Sequence, residues 1–269
     1  MSDILEELAA MRRRDAEARE NTVPFDVMLR WTMKAPEARD FAAAFRGGDA
    51  STRPRIIAEL KRASPSEGMI REKFHPVELA RELEAAGATA LSVLCEPHRF
   101  LGNEDYLREV RVAVSLPILY KDFITTRYQL TAARAAGADA ALLIAAVLND
   151  AALKDLIAFA HELGLAALVE THDEREIARA VECGARIVGV NCRNLRNFST
   201  DVTLLESLVG KIPRPCLRIA ESGMRTSEAV RRAQSAGADG FLVGTALMRT
   251  ARPGKKLEEL TTTRKGKRQ

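Results

Sequence analysis

From residue 54 onward the chain repeats one pattern: an amphipathic segment ends at a glycine and runs directly into an apolar strand. EAAGATALSVL, RAAGADAALLI, VECGARIVGV and QSAGADGFLVG all show it, with Gly87, Gly137, Gly184 and Gly237 at near-equal spacing. Between them lie PRIIAELK, SLPILYKDF, GLAALVETH and PRPCLRIAES, which bring the candidate strands to eight. Segments such as HPVELARELEAAG and TRYQLTAARAAG carry helical periodicity between the strands. Near-continuous apolar strands alternating with amphipathic helices require a parallel sheet covered by those helices. Eight such units predict an α/β fold of the (β/α)8 TIM-barrel type, and 269 residues suit one such domain, which takes roughly 250. The competing doubly wound sheet would place a glycine fingerprint after its first strand, and KRASPSEG is not GxGxxG.

Ahead of the repeats, residues 1–50 read as an N-terminal helical extension packed on the barrel. A helix is expected over residues 2 to 20, with Ser2 as N-cap and Ile4, Leu5, Leu8 and Met11 as its apolar stripe. A second is expected to start at Pro36, carry Phe41 and Phe45, and stop at Gly47 and Gly48. Two roles are open to this extension: plugging one end of the fold, or closing over a ligand. The barrel is expected over 51–258 and a flexible basic tail over 259–269.

The net charge of +4 suits an anionic small molecule or merely a basic surface, the excess being spread along the chain apart from the tail RKGKRQ, and no basic and aromatic stretch predicts a nucleic-acid partner. Cys95, Cys183, Cys192 and Cys216 have no zinc-type spacing and read as reduced, buried thiols. The four histidines fall singly, so no metal site is assigned. The N-terminus has alternating charge and no continuous apolar run, which predicts no membrane span and a cytoplasmic location. A monomer or weak homodimer is expected.

In a barrel of this type the site is built from the residues at and just past the C-terminal end of each strand. Those ends here carry Glu59 and Lys61; Cys95 and Glu96; Lys121 and Asp122; the apolar Leu142 to Ala146; Glu170; Asn191 and Arg193; Glu221 and Ser222; and Gly244 and Thr245. Strand alternation puts Glu59 and Lys61 on one face, an acid and a base in one pocket. Lys61 and Lys121 are candidate acids, Glu170 or Glu59 a candidate base, and Asn191 an orienting partner. Glu221 joins the carboxylates of the ring. Ser222 and Gly223 in ESGM, and Gly244 and Thr245 in VGTALM, let backbone N–H groups approach a phosphate, with Ser64 and Lys61 able to close over it. Pro65, Phe100, Phe123, Leu142 and Leu195 are candidates for an apolar slot that takes a flat ring.

The motifs AELKRASPSEG, LPILYKDFI, ALVETHD, VGVNCRNL, IAESGM and GFLVGTALM, in this order, resemble the indole-3-glycerol phosphate synthase family over essentially the full length. The resemblance implies conversion of 1-(2-carboxyphenylamino)-1-deoxyribulose 5-phosphate to indole-3-glycerol phosphate in tryptophan biosynthesis, by a carboxy-lyase needing neither metal nor organic cofactor. It implies that Lys61 and Lys121 are the catalytic lysines, Glu59 and Glu170 catalytic carboxylates, and Asn191 the orienting asparagine. Ser64, Ser222, Gly223, Gly244 and Thr245 match its phosphate-binding positions, and Arg193 its arginine near the substrate carboxylate. Pro65, Phe100, Phe123, Leu142 and Leu195 match its ring pocket. Tyr120, Cys192 and Cys95 stand where the family usually has Arg, Asn and Thr. Alternation sends Tyr120 and Cys192 toward the helix layer, while Cys95 is left open. A phosphoribosylanthranilate isomerase would be expected to use a Cys and Asp pair instead, and a non-catalytic phosphate-binding barrel would not need the lysines and carboxylates together.

Overall fold

The computed structural model describes residues 4–46, 53–192 and 202–262. Eight parallel strands close into a barrel: Ile56–Leu60, Ala90–Leu94, Ile118–Lys121, Ala140–Ile144, Ala166–Thr171, Ile187–Asn191, Leu217–Glu221 and Gly240–Val243, the last pairing with the first. Helices come after the strands, from Pro76–Ala85 after the first to Pro253–Thr261 after the last. Gly87, Gly137, Gly184 and Gly237 all take positive φ, the left-handed conformation that ends a helix and is cheap only without a Cβ. The sequence repeat is therefore a repeat of helix stops.

Side-chain parity divides the barrel into two cores. Ile56, Ala58 and Leu60 pack outward under the helices, while Ile57 belongs to the inner core with Leu119, Leu142, Leu168, Ile187, Ile219 and Leu242. The same alternation turns the polar residues at the C-terminal ends inward. Tyr120, Cys192 and Cys95 all lie in the outer, helix-facing core. The three departures from the family pattern thus sit behind the site and not in it.

The extension closes both ends of the barrel. Its first helix, Ile4–Thr22, drops Leu5 and Leu8 into the inner core at the C-terminal mouth. Phe41 and Phe45 enter the same core from below, their rings 5.3 Å apart, and Phe45 lies where a Cβ on Gly240, at the start of the eighth strand, would come within 2.7 Å.

The second expected helix is misplaced. The helix is Phe25–Thr32, and the segment from Pro36 has no helix before a short turn at Ala43–Phe45. Barrel side chains take the backbone groups that a helix needs. Arg134 donates to the Pro36 carbonyl at 2.7 Å, Arg111 donates to the Glu37 carbonyl at 2.6 Å, and the Arg39 N–H donates to Asp139 at 2.7 Å. Those bonds hold the strap extended under the barrel. At the other end, the last helix runs to Thr261 and buries Leu257 and Leu260, so the expected boundary at 258 falls inside it.

Candidate active site

Inward parity brings two lysine–carboxylate groups to one cavity at the C-terminal mouth. Lys61 Nζ stands 2.8 Å from Glu59 Oε2 on the first strand and its exit. Across the mouth Lys121 Nζ, ending the third strand, stands 3.0 Å from Glu170 Oε2 of the fifth and 3.4 Å from Glu221 Oε2 of the seventh. Asn191 Nδ2 donates to Glu170 Oε1 at 3.1 Å, and its own Oδ1 accepts from Ser222 Oγ at 2.7 Å. A chain of contacts therefore runs from Lys121 to the loop after the seventh strand.

Burial sets the protonation of these groups. Desolvation opposes the charge on Lys121, but Glu170, Glu221 and Glu59 outweigh it and hold the ammonium above its ordinary range. Desolvation likewise opposes ionisation of Glu170, and Lys121, His172 and Asn191 reverse it, keeping this carboxyl well below the usual range. Glu221 goes the other way. Burial pushes it up, Lys121 pulls it down, and the charge of Glu170 adds to the upward push, leaving it at about 8. The Lys121 group thus holds one ionised and one protonated carboxyl around its ammonium at neutral pH.

Glu221 gives stability a measurable pH dependence. Its native pKa of about 8 exceeds the ordinary 4.5, so between these values the native state binds a proton that the unfolded chain has released. Its contribution to stability falls as pH rises through that window and stays low above it. Glu221→Gln removes this dependence, so the Tm of the variant minus that of the parent is expected to grow from about pH 5 to about pH 9. A flat difference would contradict a protonated Glu221.

Beside the lysines lies a corner of exposed backbone. Ser222 and Gly223 both take left-handed φ, at 64° and 74°, and Gly244 leads into the short helix Thr245–Met248. A Cβ on Gly244 would come within 2.0 Å of Glu59 Oε2 and 3.1 Å of Lys61 Nζ, so a side chain here would push the ion pair out of place. Thr245 Oγ1 is buried with no hydrogen-bond partner among the described residues. Opposite, Phe100 and Phe123 tilt at 43° with centroids 6.1 Å apart and form a slot with Pro65 and Leu142.

Every catalytic, phosphate-binding and slot candidate within the described residues lines this one cavity, whereas the strand-end residues Cys95 and Glu96 do not, Glu96 accepting instead from the backbone N–H groups of His98, Arg99 and Phe100. Arg193 and Leu195 lie outside the described residues. The cavity also has members that sequence reasoning missed. Ile4, Leu5 and Leu8 roof it, and Arg225 stands at its edge. Arg12 of the roofing helix binds Asp122, the residue after Lys121, through Nε at 2.9 Å and Nη2 at 2.7 Å. His172 sits beside Glu170, with Nε2 3.4 Å from its Oε1. The apolar stripe of the helix is visible in sequence, but not its target. His172 is visible as the residue two places after Glu170, on the same face.

The family pattern of indole-3-glycerol phosphate synthase matches residues 5–260. The chain belongs to that family. An indole-3-glycerol phosphate synthase of Albidiferax ferrireducens is 43% identical over 98% of this chain and 100% of its own length. One of Acidithiobacillus ferrooxidans is 44% identical over 97% of this chain and 99% of its own. Among solved structures, thiamine phosphate pyrophosphorylase from Pyrococcus furiosus covers 77% of this chain and 93% of its own, at 18% identity and a TM-score of 0.56. The N-acetylmannosamine-6-phosphate 2-epimerase from Clostridium perfringens covers 78% and 93%, at 19% identity and a TM-score of 0.57. These two similarities carry the barrel fold alone, whereas membership of the indole-3-glycerol phosphate synthase family rests on full-length sequence identity.

Proposed function

We infer that this enzyme is an indole-3-glycerol phosphate synthase, a carboxy-lyase that closes, decarboxylates and dehydrates 1-(2-carboxyphenylamino)-1-deoxyribulose 5-phosphate. The observation that carries the mechanism is the pair of lysine–carboxylate groups, Lys61 with Glu59 and Lys121 with Glu170 and Glu221, facing one cavity. The substrate phosphate takes the corner of Ser64, Ser222, Gly223, Gly244 and Thr245. Its aromatic ring enters the slot of Pro65, Phe100, Phe123 and Leu142 under the roof of Leu5 and Leu8. The ring carbon bearing the carboxylate attacks the ribulose C2 carbonyl, and Lys121 gives a proton to the oxygen as negative charge develops there. Carbon dioxide leaves with its bonding pair returned to the ring. Lys61 then protonates the hydroxyl, which departs as water, while Glu170 or Glu59 takes the proton from the neighbouring carbon. Ser222 fixes Asn191, and Asn191 holds Glu170 in place for that task. Arg193 is assigned to the substrate carboxylate and Leu195 to the slot.

A monomer or weak homodimer is the proposed working form. Four buried free thiols support a reducing, cytoplasmic setting. No helix among the described residues is long and apolar enough to cross a membrane. Mixing the purified protein with the carboxyphenylamino-deoxyribulose phosphate in buffer with chelator is expected to produce indole fluorescence. Saturable binding without fluorescence would favour a phosphate-binding barrel, and fluorescence abolished by the chelator would refute a metal-free reaction.

A further inference from the structure

The two oxygens of Glu170 have different partners. Oε2 accepts from Lys121 Nζ at 3.0 Å; Oε1 accepts from Asn191 Nδ2 at 3.1 Å and faces His172 Nε2 at 3.4 Å. That Nε2 is buried and makes no hydrogen bond within the described residues. His172 comes two residues after Glu170, so strand parity returns it to the same side. Its backbone N–H and its Nδ1 both meet Glu176 Oε2, at 2.8 Å and 3.1 Å. Glu176 is fixed in turn, because it lies in the first turn of helix Glu174–Glu182 and its N–H is accepted by the capping carboxylate of Asp173 at 2.7 Å.

We propose that His172, backed by Glu176, is a positioning residue for Glu170: an imidazolium that holds the carboxylate ionised and aimed into the cavity from the oxygen that Lys121 does not bind. Each ring nitrogen faces a carboxylate oxygen, and a neutral imidazole would turn a lone pair on one of them. Burial disfavours the charge, but Glu170 and Glu176 outweigh it and push His172 up to about 10. Among the described residues, the charged groups facing His172 are Glu170 on its own strand and Glu176 on the next helix. Those facing Glu170 are Lys121 of the third strand, Glu221 of the seventh and His172 itself. His172 does not line the cavity and so acts through Glu170.

This role rests on the synthase reading, and the test separates the two. His172→Gln, Glu176→Gln and the parent are compared by proton NMR of the histidine Cε1–H, assigned by its loss in His172→Gln, and by pH profiles of kcat/KM. In the parent, His172 is expected not to titrate between about pH 5.5 and about pH 8.5, and Glu176→Gln to bring its titration into that window. His172→Gln is expected to lower kcat by about tenfold with KM changed less than about twofold, and to bring into the accessible range an acid limb of kcat/KM that the parent lacks there. A parent His172 that titrates near its ordinary value, or a kcat/KM profile in His172→Gln superimposed on the parent's, would overturn the proposal in an active enzyme. A parent that gives no indole fluorescence with the carboxyphenylamino-deoxyribulose phosphate while His172 stays charged would overturn the synthase reading and the positioning role with it.

Discussion

Lys121→Ala is expected to lower kcat by about 10²–10⁴-fold with a much smaller change in KM, because it removes the acid of the ring-closing step and little ground-state binding. The loss has a second source. Lys121 is the cation that keeps Glu170 ionised beside Glu221, and two buried carboxyl groups left without it share a proton near neutral pH. Acid and base are therefore lost together, so adding Glu170→Gln to Lys121→Ala is expected to cost far less than it does alone. Lys121→Arg separates the two effects. A guanidinium keeps the positive charge but does not release a proton in this range, so Lys121→Arg is expected to be about as slow as Lys121→Ala while folding more stably. Single-turnover indole fluorescence and thermal melts read both. A Lys121→Ala enzyme within about tenfold of the parent would remove Lys121 from the acid role, and an active Lys121→Arg would mean that charge alone suffices.

The parts of this molecule legible in its sequence are those governed by local periodicity. Four of the eight strands can be read from apolar runs behind the repeating helix-stopping glycines and the other four from the apolar runs between them, and the inward placement of Glu59, Lys61, Lys121, Glu170, Asn191 and Glu221 comes from period-two alternation once strand ends are known. The strap at residues 36–40 reads as a helix because its backbone partners, Arg134 and Asp139, lie 98 and 100 positions away. Pro36 and the small residues behind it are ordinary helix-start signals, and tertiary hydrogen bonds override them. The roof is illegible for the same reason. An apolar stripe of Ile4, Leu5 and Leu8 says that something must cover it, but the same stripe fits the barrel wall, its base or its mouth. His172 is the exception, since Glu170, His172 and Glu176 are close in sequence, yet a single histidine suggests neither a metal nor a nucleophile.

Arg12→Ala is expected to lower Tm by roughly 6–20 °C and to raise KM. The Asp122 side chain is fully buried, and Arg12 grips it from a helix 110 residues earlier through Nε at 2.9 Å and Nη2 at 2.7 Å. Removing one partner of such a pair leaves a buried charge, which costs about 3–5 kcal/mol, and each kcal/mol lowers Tm by about 2–4 °C in a domain approaching this size. The Tyr120 hydroxyl at 3.3 Å and the Phe123 N–H at 2.8 Å still donate to Asp122 and place the effect within, not beyond, that range. The kinetic effect comes from geometry. Asp122 sits between Lys121 and the slot residue Phe123, while the Arg12 helix carries Leu5 and Leu8 over the cavity, so one ion pair ties roof, ring slot and catalytic lysine together. Arg19→Ala is the control. Its pair with Glu104 joins the same helix to the barrel at 2.9 Å but is 37% exposed on the arginine side, and pairs of that kind contribute about 0–1 kcal/mol. Asp122→Asn added to Arg12→Ala is expected to recover part of the lost Tm by removing the unpaired charge. Equal Tm losses in Arg12→Ala and Arg19→Ala would mean that burial of Leu5 and Leu8 holds the roof, with Asp122 retained for the backbone it fixes beside Lys121.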